Sequence, residues 1–306
     1  NRNFFIIGFS PSAEKSKIFL PYKRHTQQQF KFYQLNLNTD INKIINLLNT
    51  FKPEYIVNFA AQSEVAPSWK NPAHWFETNV VSLTKLVHYL NGEKYLKRFM
   101  QISSPEVYGT CQGRITENAP LNPSTPYAAS KAAADLLLAT YVKNFNFPLI
   151  TIRSTNVYGP HQQLFKIIPR SIISLKLGRK ISLHGGGTAV KSYIHIRDIS
   201  RGELQALDKG KTGELYHFSP PAGISVRNVV ALICEKMNQR FENSVVVAKE
   251  RLGQDKAYVI DSTKARKLLK WSPQIALEDG IAETISWIEK NWPAIKKLPH
   301  EYLHKQ

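Results

Sequence analysis

The chain has 306 residues, of which 42% are hydrophobic and 21% charged, a composition typical of a globular protein with a large core divided between two lobes. We expect no membrane span, because no apolar run reaches about 18 residues, and no signal peptide. The two cysteines, Cys111 and Cys234, match no metal-binding spacing, so we expect no bound metal and a cytoplasmic location.

The formal net charge of +18 is the unusual quantity in the composition. It indicates either a solvated basic surface or attraction to a phosphate-bearing partner. The Lys and Arg residues are spread along the chain, and no recognition motif accompanies them. We therefore expect no nucleic acid partner.

Short apolar segments alternate with helical patterns along the first half of the chain. We predict strands at residues 4–10, 32–37, 55–59, 99–103 and 149–152, and helices at 41–51, 75–86 and 126–139. This alternation predicts parallel βαβ units in a Rossmann-like, doubly wound α/β sheet. Ligands of such sheets bind at the carboxyl ends of the strands, which are followed here by residues 60–63, 103–104 and 154–159.

The second half of the chain has a less regular pattern. We predict strands at residues 192–196 and 215–218, and helices at 167–177, 226–237, 263–269 and 277–291, with loops between them. The pattern contains no internal repeat and no obvious linker, so we expect the two lobes to share strands.

The stretch from Thr125 to Lys131 carries the clearest chemical signal. Thr125 is a candidate N-cap for a helix that Pro126 opens at its first position. The spacing of four residues places Tyr127 and Lys131 on one helix face. A nearby ammonium lowers the pKa of a phenol from about 10, so this pair predicts a base for a sugar hydroxyl that loses hydride from the same carbon. The alternative is a chance pairing of a Tyr and a Lys.

Six motifs occur in one order along the chain: Asn58-Phe59-Ala60-Ala61-Gln62-Ser63, Thr78-Asn79-Val80, Ser103-Ser104-Pro105-Glu106-Val107-Tyr108-Gly109, Tyr127 with Lys131, Asn156-Val157-Tyr158-Gly159-Pro160, and Arg251-Leu252-Gly253-Gln254-Asp255. With them the chain resembles the extended short-chain dehydrogenase/reductase family, and within it the nucleotide-sugar 4,6-dehydratases. The resemblance implies oxidation at sugar C4, loss of water across C5 and C6, and return of hydride to C6. It also implies a nucleotide-diphosphate sugar as substrate and a tightly bound NAD or NADP that is regenerated in each turnover.

The resemblance also implies a role for each matching residue. Tyr127 would be the base at sugar O4, Lys131 would lower its pKa and bind the ribose, Ser104 would hydrogen-bond O4, and Glu106 would remove the C5 proton. The implied cofactor-binding residues are Ser10, Asn36, Leu37, Ala60, Ala61, Gln62, Asn79, Ser103, Tyr127 and Lys131, and the implied substrate-binding residues are Ser63, Asn156, Lys191 and Arg251. The alternative for Glu106 is a carboxylate that only caps or pairs locally.

Three departures from the family pattern stand out. Pro105 occupies the position of an Asp acid in the dTDP-glucose dehydratases, so Glu106 or a bound water must donate the proton to the leaving group; the GDP-mannose dehydratases also lack that Asp. Ser10 replaces an acidic ribose ligand, and Asn36 replaces an Asp that often contacts adenine. A 2′-phosphate near Lys15 and Lys17 would then be tolerated, which leaves NAD and NADP both open.

The third departure is the absence of the Gly-rich turn that holds the cofactor pyrophosphate. We expect the sequence to lack one strand and one helix at its amino end, roughly 30 residues. The expected dinucleotide-binding domain comprises residues 1–157 and about 189–218, and a smaller α/β lobe of about 158–188 and 219–306 binds the nucleotide sugar.

Two other functions stay open at this stage. One is a nucleotide-sugar 4-epimerase or a UDP-uronate decarboxylase built on the same Tyr and Lys. The other is a non-catalytic protein that binds a dinucleotide or a nucleotide sugar. The resemblance further implies a homodimer, packed through the helices around Leu83 and Ala134.

Overall fold

The computed structural model describes residues 4–24, 29–111, 113–250, 252–253 and 255–304. The strands are β1 (Ile6–Ser10), β2 (Phe30–Gln34), β3 (Tyr55–Asn58), β4 (Arg98–Ile102), β5 (Arg114–Ile115), β6 (Leu149–Ser154), β7 (Asn156–Tyr158), β8 (Ile181–His184), β9 (Val190–Lys191), β10 (Tyr193–His195), β11 (Leu215–Phe218), β12 (Ile224–Ser225), β13 (Val245–Ala248) and β14 (Ala257–Ile260). The α-helices are α1 (Ile41–Phe51), α2 (Val65–Ser68), α3 (Pro72–Phe76), α4 (Leu83–Leu90), α5 (Pro126–Phe145), α6 (Ile167–Lys176), α7 (Ile196–Lys209), α8 (Val226–Lys236), α9 (Phe241–Ser244), α10 (Thr263–Leu269), α11 (Leu277–Lys290) and α12 (Trp292–Ile295).

The main sheet has the strand order β11-β6-β4-β3, and all of its pairs are parallel. Its two central strands are buried: Phe99 and Met100, which point to opposite faces of β4, and Ile150 and Ile152 of β6 are fully buried. Near-continuous apolar runs are typical of parallel strands that are covered on both sides. The predicted parallel α/β sheet is therefore confirmed.

Helices cover both faces of this sheet. On one face, Leu48 of α1, Leu86 of α4 and Leu138 of α5 belong to one buried cluster with the start of β4 and β6. On the other face, Ile199 of α7 and Leu269 of α10 pack in a second cluster with β6 and β11. This double cover fixes the carboxyl end of β4, where the candidate site lies.

Strands β1 and β2 form a parallel sheet of their own. Among the described residues, β1 pairs only with β2 and β3 pairs only with β4. Both β1 and β3 line one cavity of 2480 Å³, and apolar side chains such as Phe5 and Phe59 are exposed beside it.

A separate core lies in the carboxyl-terminal half. Ile172 of α6, Ile233 of α8 and Ile288 of α11 pack together, and the short strands β8 and β13 pair beside them. Strand β14 pairs with β9 and with β5, so this half of the chain is tied to the segment that follows β4.

The helix predicted at 75–86 is present: α3 continues through a π-helical turn (Glu77–Ser82) into α4 without a break in helical backbone. Two other local predictions were wrong. Helix α7 was predicted as a loop, and Ile196 begins this helix instead of ending the preceding strand. The buried face of α7 is built partly from Gly202 and Ala206, which give a weak apolar signal in the sequence. The short strands β5, β7, β8, β9, β12, β13 and β14 were not predicted either.

No helix in the described part of the chain combines the length and the apolar composition that a membrane span requires.

Candidate active site

The amino end of α5 has the predicted structure. The Thr125 hydroxyl accepts a hydrogen bond from the Ala128 amide at 3.1 Å, and Pro126 stands in the first turn. The helix continues to Phe145, six residues beyond the predicted end. This capped start places Tyr127 and Lys131 on successive turns of one rigid helix.

Lys131 is buried at the carboxyl end of β4. Its side chain is only 3% exposed, and its Nζ donates to the carbonyl oxygen of Ile102 at 2.6 Å. Burial lowers the pKa of Lys131 to about 8, and the negative charge of Asp135 opposes that shift. The amine is therefore a mostly protonated group at neutral pH, held in a fixed direction.

Tyr127 is half-buried and its backbone is anchored from two sides. Its amide donates to the Ser68 hydroxyl of α2 at 3.2 Å, and the Ser130 hydroxyl donates to its carbonyl at 2.7 Å. The first turn of α5 is thus fixed by α2 as well as by its own cap.

Asn79 connects the loop after β3 to α5. Its Oδ1 accepts from the Gln62 amide at 2.8 Å, and its Nδ2 donates to the Gln62 carbonyl at 3.1 Å and to the Ser130 hydroxyl at 2.9 Å. Asn79 lies in the π-helical turn, a local widening that often occurs at functional sites. Two predicted cofactor-binding positions, Asn79 and Gln62, are therefore joined to the helix that carries Tyr127.

Seven of the predicted binding positions line the cavity between β1 and β3. They are Ser10, Asn36, Leu37, Ala60, Ala61, Gln62 and Ser63. Asn36 is also engaged locally, since its Oδ1 accepts from the Asn38 amide at 3.0 Å and its own amide donates to Asp40. Leu37 packs against the α1–α4 core in addition to lining the cavity.

The two serines after β4 make different hydrogen bonds. The Ser103 hydroxyl donates to Asp135 at 2.6 Å, so this side chain is used inside the protein. The Ser104 hydroxyl caps the 3-10 turn Pro105–Tyr108 by accepting from the Glu106 amide at 3.3 Å. This cap fixes the start of the turn that holds Glu106.

Burial raises the pKa of Glu106 above its ordinary value. The positive charge of Lys191 opposes this rise in pKa, and the negative charge of Asp255 adds to it. Smaller effects come from Lys166, which lowers the pKa, and from Glu64, which raises it. Burial thus raises the pKa of Glu106, while Lys191 and Lys166 stabilise its ionised form.

The predicted substrate-binding residues come from the short strands. Asn156 of β7 donates its Nδ2 to the Ser192 carbonyl at 3.1 Å, and Lys191 lies on β9. Arg251 lies outside the described residues, so its predicted role stays a prediction. In the same segment, Gly253 has a φ of +69°, and a Cβ there would lie 2.9 Å from Cγ2 of Thr125, so glycine allows this loop to approach the start of α5.

Sequence reasoning missed several charged residues of the site. Asp255 accepts from Thr110 and Ser124, both at 3.0 Å, and an ion pair joins Glu64 to Lys166. Asp135 and Arg153 form a buried ion pair of 2.7 Å behind Lys131. Two signals were present: Asp135 follows Lys131 by one helical turn, and Arg153 is the one charged residue of β6.

Comparisons with known proteins agree with the geometry. A family profile described as GDP-mannose 4,6 dehydratase matches residues 6–284. The dTDP-D-glucose 4,6-dehydratase of Homo sapiens is 32% identical over 280 residues, which cover 89% of this chain and 79% of the human protein.

Two solved structures have the same fold. DesIV, a dTDP-glucose 4,6-dehydratase from Streptomyces venezuelae with NAD and TYD bound, superposes with a TM-score of 0.82 at 30% identity, over 87% of this chain and 81% of its own. A UDP-glucuronic acid 4-epimerase from Bacillus cereus, in complex with UDP-glucuronic acid and NAD, gives a TM-score of 0.80 at 26% identity, over 86% of this chain and 82% of its own. The chain therefore belongs to the GDP-mannose 4,6 dehydratase family, within the NAD-dependent epimerase/dehydratase branch of the extended short-chain dehydrogenase/reductases that its motifs indicated.

Proposed function

We propose that this chain removes water from a nucleotide-diphosphate sugar as a 4,6-dehydratase, with dTDP-glucose as the first candidate substrate. The observation that carries the proposal is Glu106: a buried carboxyl with a raised pKa, in the turn that leaves β4 where Lys131 is bound. Elimination across C5 and C6 needs such an acid–base group, whereas 4-epimerisation does not. The similarity to dTDP-glucose dehydratases supports the choice of nucleotide.

Tyr127 takes the proton from sugar O4 in this proposal. The Lys131 ammonium, directed by the Ile102 carbonyl, favours the phenolate form of that tyrosine. Ser104 stands at the start of the next turn and donates its hydroxyl hydrogen to O4, since its oxygen already accepts from the Glu106 amide. Tyr127, Lys131 and Ser104 thus act together on the proton of sugar O4.

Glu106 performs both proton transfers of the elimination. Its ionised carboxylate takes the C5 proton, the C5–C6 double bond forms as the C6–O bond breaks, and the same proton leaves with the C6 hydroxyl as water. Pro105 has no proton to give, so a carboxyl that alternates between its two forms is sufficient. The positive charge of Lys191 favours the ionised form of Glu106, and the negative charge of Asp255 favours its protonated form. The two charges together suit a carboxyl that alternates between these forms.

The residues around the large cavity fit a dinucleotide. Its walls bring the small side chains Ala60 and Ala61 together with the polar Ser10 and Gln62, so a sugar–phosphate chain can approach the backbone closely. A dinucleotide held there would supply the hydride acceptor for C4 and the hydride donor for C6. The relatives solved with NAD favour NAD, while Ser10 places no carboxylate where it would repel the 2′-phosphate of NADP.

The remaining proposals concern the substrate and the assembly. Arg251 of a lobe of about 158–188 and 219–306, which has its own core, binds the nucleotide sugar together with Ser63, Asn156 and Lys191 of the dinucleotide-binding domain. That domain comprises residues 1–157 and about 189–218. A homodimer through α4 and α5 is supported by Val81 and Leu136, which are 41% and 61% exposed, whereas Leu83 and Ala134 are buried in their own chain. Two buried free thiols support a reducing, cytoplasmic location.

The test supplies NAD with dTDP-, UDP-, GDP- and CDP-hexoses and follows product mass. We expect loss of one water from dTDP-glucose. Glu106→Gln should slow water loss by a factor on the order of 10² to 10⁴, because the elimination step loses its acid–base group. The absorbance of the reduced cofactor should stay detectable, because only that step is affected.

Glu203→Gln is the matched control. Burial raises the pKa of Glu203 on α7 to about 7, so it is a second carboxyl that readily holds a proton, and its replacement should leave water loss unchanged. Products of unchanged mass would indicate an epimerase, and CO₂ released from a UDP-uronate would indicate a decarboxylase. Tight binding of cofactor and sugar nucleotide without turnover would indicate a binding protein.

A further inference from the structure

A hydrogen-bonded chain of side chains runs through the protein behind the reactive helix. It joins Ser103, Asp135, Arg153, Tyr108 and His217. Asp135 Oδ2 accepts from the Ser103 hydroxyl at 2.6 Å and from Arg153 Nη2 at 2.7 Å. The side chains of Asp135 and Arg153 are 8% and 5% exposed, so this ion pair is shielded from water.

At the His217 end of this series of hydrogen bonds, the position of each proton is fixed. Burial lowers the pKa of His217 to about 3, so its ring is neutral, and its Nδ1 lies 3.1 Å from the Asp261 carbonyl, which can only accept. Nε2 must therefore accept from the Tyr108 hydroxyl, at 2.8 Å. Burial also raises the pKa of Tyr108 to about 12, so its oxygen keeps its proton and accepts from Arg153.

This directionality holds Arg153 in place. The guanidinium donates to Tyr108, lies 4.6 Å from the centroid of the Tyr108 ring, and directs its other nitrogen to Asp135. Asp135 is thereby bound by Arg153 of β6 and by Ser103, which follows β4. Its second oxygen, Oδ1, is buried and makes no hydrogen bond within the described residues.

Asp135 stands one helical turn after Lys131 on α5, so the two side chains share a face. Lys131 donates to the carbonyl of Ile102, and Asp135 accepts from the hydroxyl of the next residue, Ser103. The amine and the carboxylate therefore bind neighbouring residues at the end of β4. Of the surrounding charged and titratable groups, Asp135 and Tyr127 come from α5, Arg153 from β6, Tyr108 from the 3-10 turn and His217 from β11. Tyr108 and His217 are neutral. Glu117, in the loop after β5, also reaches this region and accepts from the His217 amide at 3.1 Å. Of these acids, Asp135 is the one whose negative charge raises the pKa of Lys131.

We propose that Asp135, held by Arg153 and Ser103, is a positioning residue that keeps the Lys131 ammonium charged in its buried place. A buried amine without a nearby anion loses its proton readily, because burial penalises the charged form. The consequence for catalysis rests on the proposed function: a neutral Lys131 no longer favours the phenolate of Tyr127. The charge of Lys131 itself can be measured without any substrate.

The test is an NMR titration of the full chain carrying ¹³Cε-labelled lysine, with the Lys131 signal assigned by its loss in Lys131→Arg. In the parent we expect a midpoint near the pKa of about 8 given by burial and Asp135 together. Asp135→Asn should lower that midpoint by about one pH unit, a shift typical of removing an opposite charge nearby. Asp135→Glu, which keeps the charge, should restore most of it.

Asp279→Asn is the matched control, since it removes one carboxylate from the first turn of α11 and should leave the midpoint unchanged. The double variant Asp135→Asn/Arg153→Met guards against misfolding, because it leaves no unpaired buried charge in the ion pair. Its midpoint should also fall below that of the parent, by less than in the single variant.

An unchanged or raised midpoint in either variant would overturn the proposal. If the sugar chemistry proves different while the midpoint falls as expected, the proposed function fails and this inference stands. In an active preparation the alkaline loss of single-turnover rate should move to lower pH by the same amount as the midpoint.

Discussion

The two halves of the nucleotide-binding fold differ in how their strand edges are used. Strand β6 pairs with β4 and β11, and its Ile150 and Ile152 are fully buried. Strand β1 pairs with β2 alone among the described residues. Its first residue, Ile6, is 52% exposed, and Phe5 just before it is 55% exposed. We call the region of β4, β6, β11 and the helices packed on them the closed half, and the region of β1, β2 and β3 the open half. The residues proposed for proton transfer belong to the closed half. Most of those proposed for cofactor contact line the open half.

This difference separates chemistry from cofactor binding in physical terms. Groups that must hold their pKa values need a rigid, dry setting, and the closed half supplies one through the Asp135–Arg153 ion pair and the helices on both sheet faces. The open half has fewer buried apolar contacts, and regions of that kind open at lower free energy. Each half should therefore respond separately to substitution and to ligand.

The largest effect should come from Tyr127→Phe, which removes one hydroxyl from the closed half. We expect product formation to fall by a factor on the order of 10² to 10⁴, the usual contribution of a positioned acid–base group. The affinity for NAD should change little, because the cavity-lining residues are untouched. Mass spectrometry of the products and calorimetric titration with NAD measure the two quantities.

Tyr141→Phe is the control on the same helix, where the ring packs against Phe145 and Phe147 and should keep doing so. Turnover at the parent rate in Tyr127→Phe would exclude this residue as the base. A parallel loss of NAD affinity would mean that the two halves are not separable.

Hydrogen exchange should show the next largest difference. Peptides covering residues 4–10 should exchange at least about a hundredfold faster than peptides covering 149–154, because within the described part of the chain β1 is bonded on one side and β6 on both. Saturating NAD should slow exchange at 4–10 and 60–63 while leaving 149–154 unchanged. Equal protection of both regions without ligand would refute the division into a closed and an open half.

The sequence predicts those parts of the molecule that local chemistry decides. The start of α5 follows from Thr125 and Pro126, whose capping and backbone preferences act within one turn. The parallel strands follow from apolar runs alone. The order of the six motifs also identified the family correctly.

Features that depend on tertiary packing were not predictable in the same way. The Asp135–Arg153 ion pair joins a helix to a strand, and neither residue alone indicates its partner. Helix α7 is stabilised by burying the small Gly202 and Ala206 against the sheet, which a hydrophobic pattern underweights. The π-helical turn that aims Asn79 at Gln62 and Ser130 likewise follows from contacts on three elements.

The smallest expected effect compares one added methyl group in each half. In Gly202→Ala, the new Cβ would lie 2.6 Å from Phe218, a fully buried ring packed 4.8 Å from Trp271 in the closed half. Overpacking of this kind costs about 1–3 kcal/mol, and the better helix propensity of Ala returns up to about 1, so we expect a net loss of about 1–2 kcal/mol in the free energy of unfolding.

In Gly8→Ala, the new Cβ would lie 2.9 Å from Cζ of Phe30, but this ring is half-buried at the edge of the open half and its far end can turn aside. The strand loses less backbone entropy on folding with Ala than with Gly, so the net change should stay within about 0.5 kcal/mol. Urea unfolding of both variants gives the two free energies. A cost for Gly8→Ala equal to that for Gly202→Ala would mean that β1 is as tightly packed as the strands beside α5, and the distinction between the halves would fail at the level of packing.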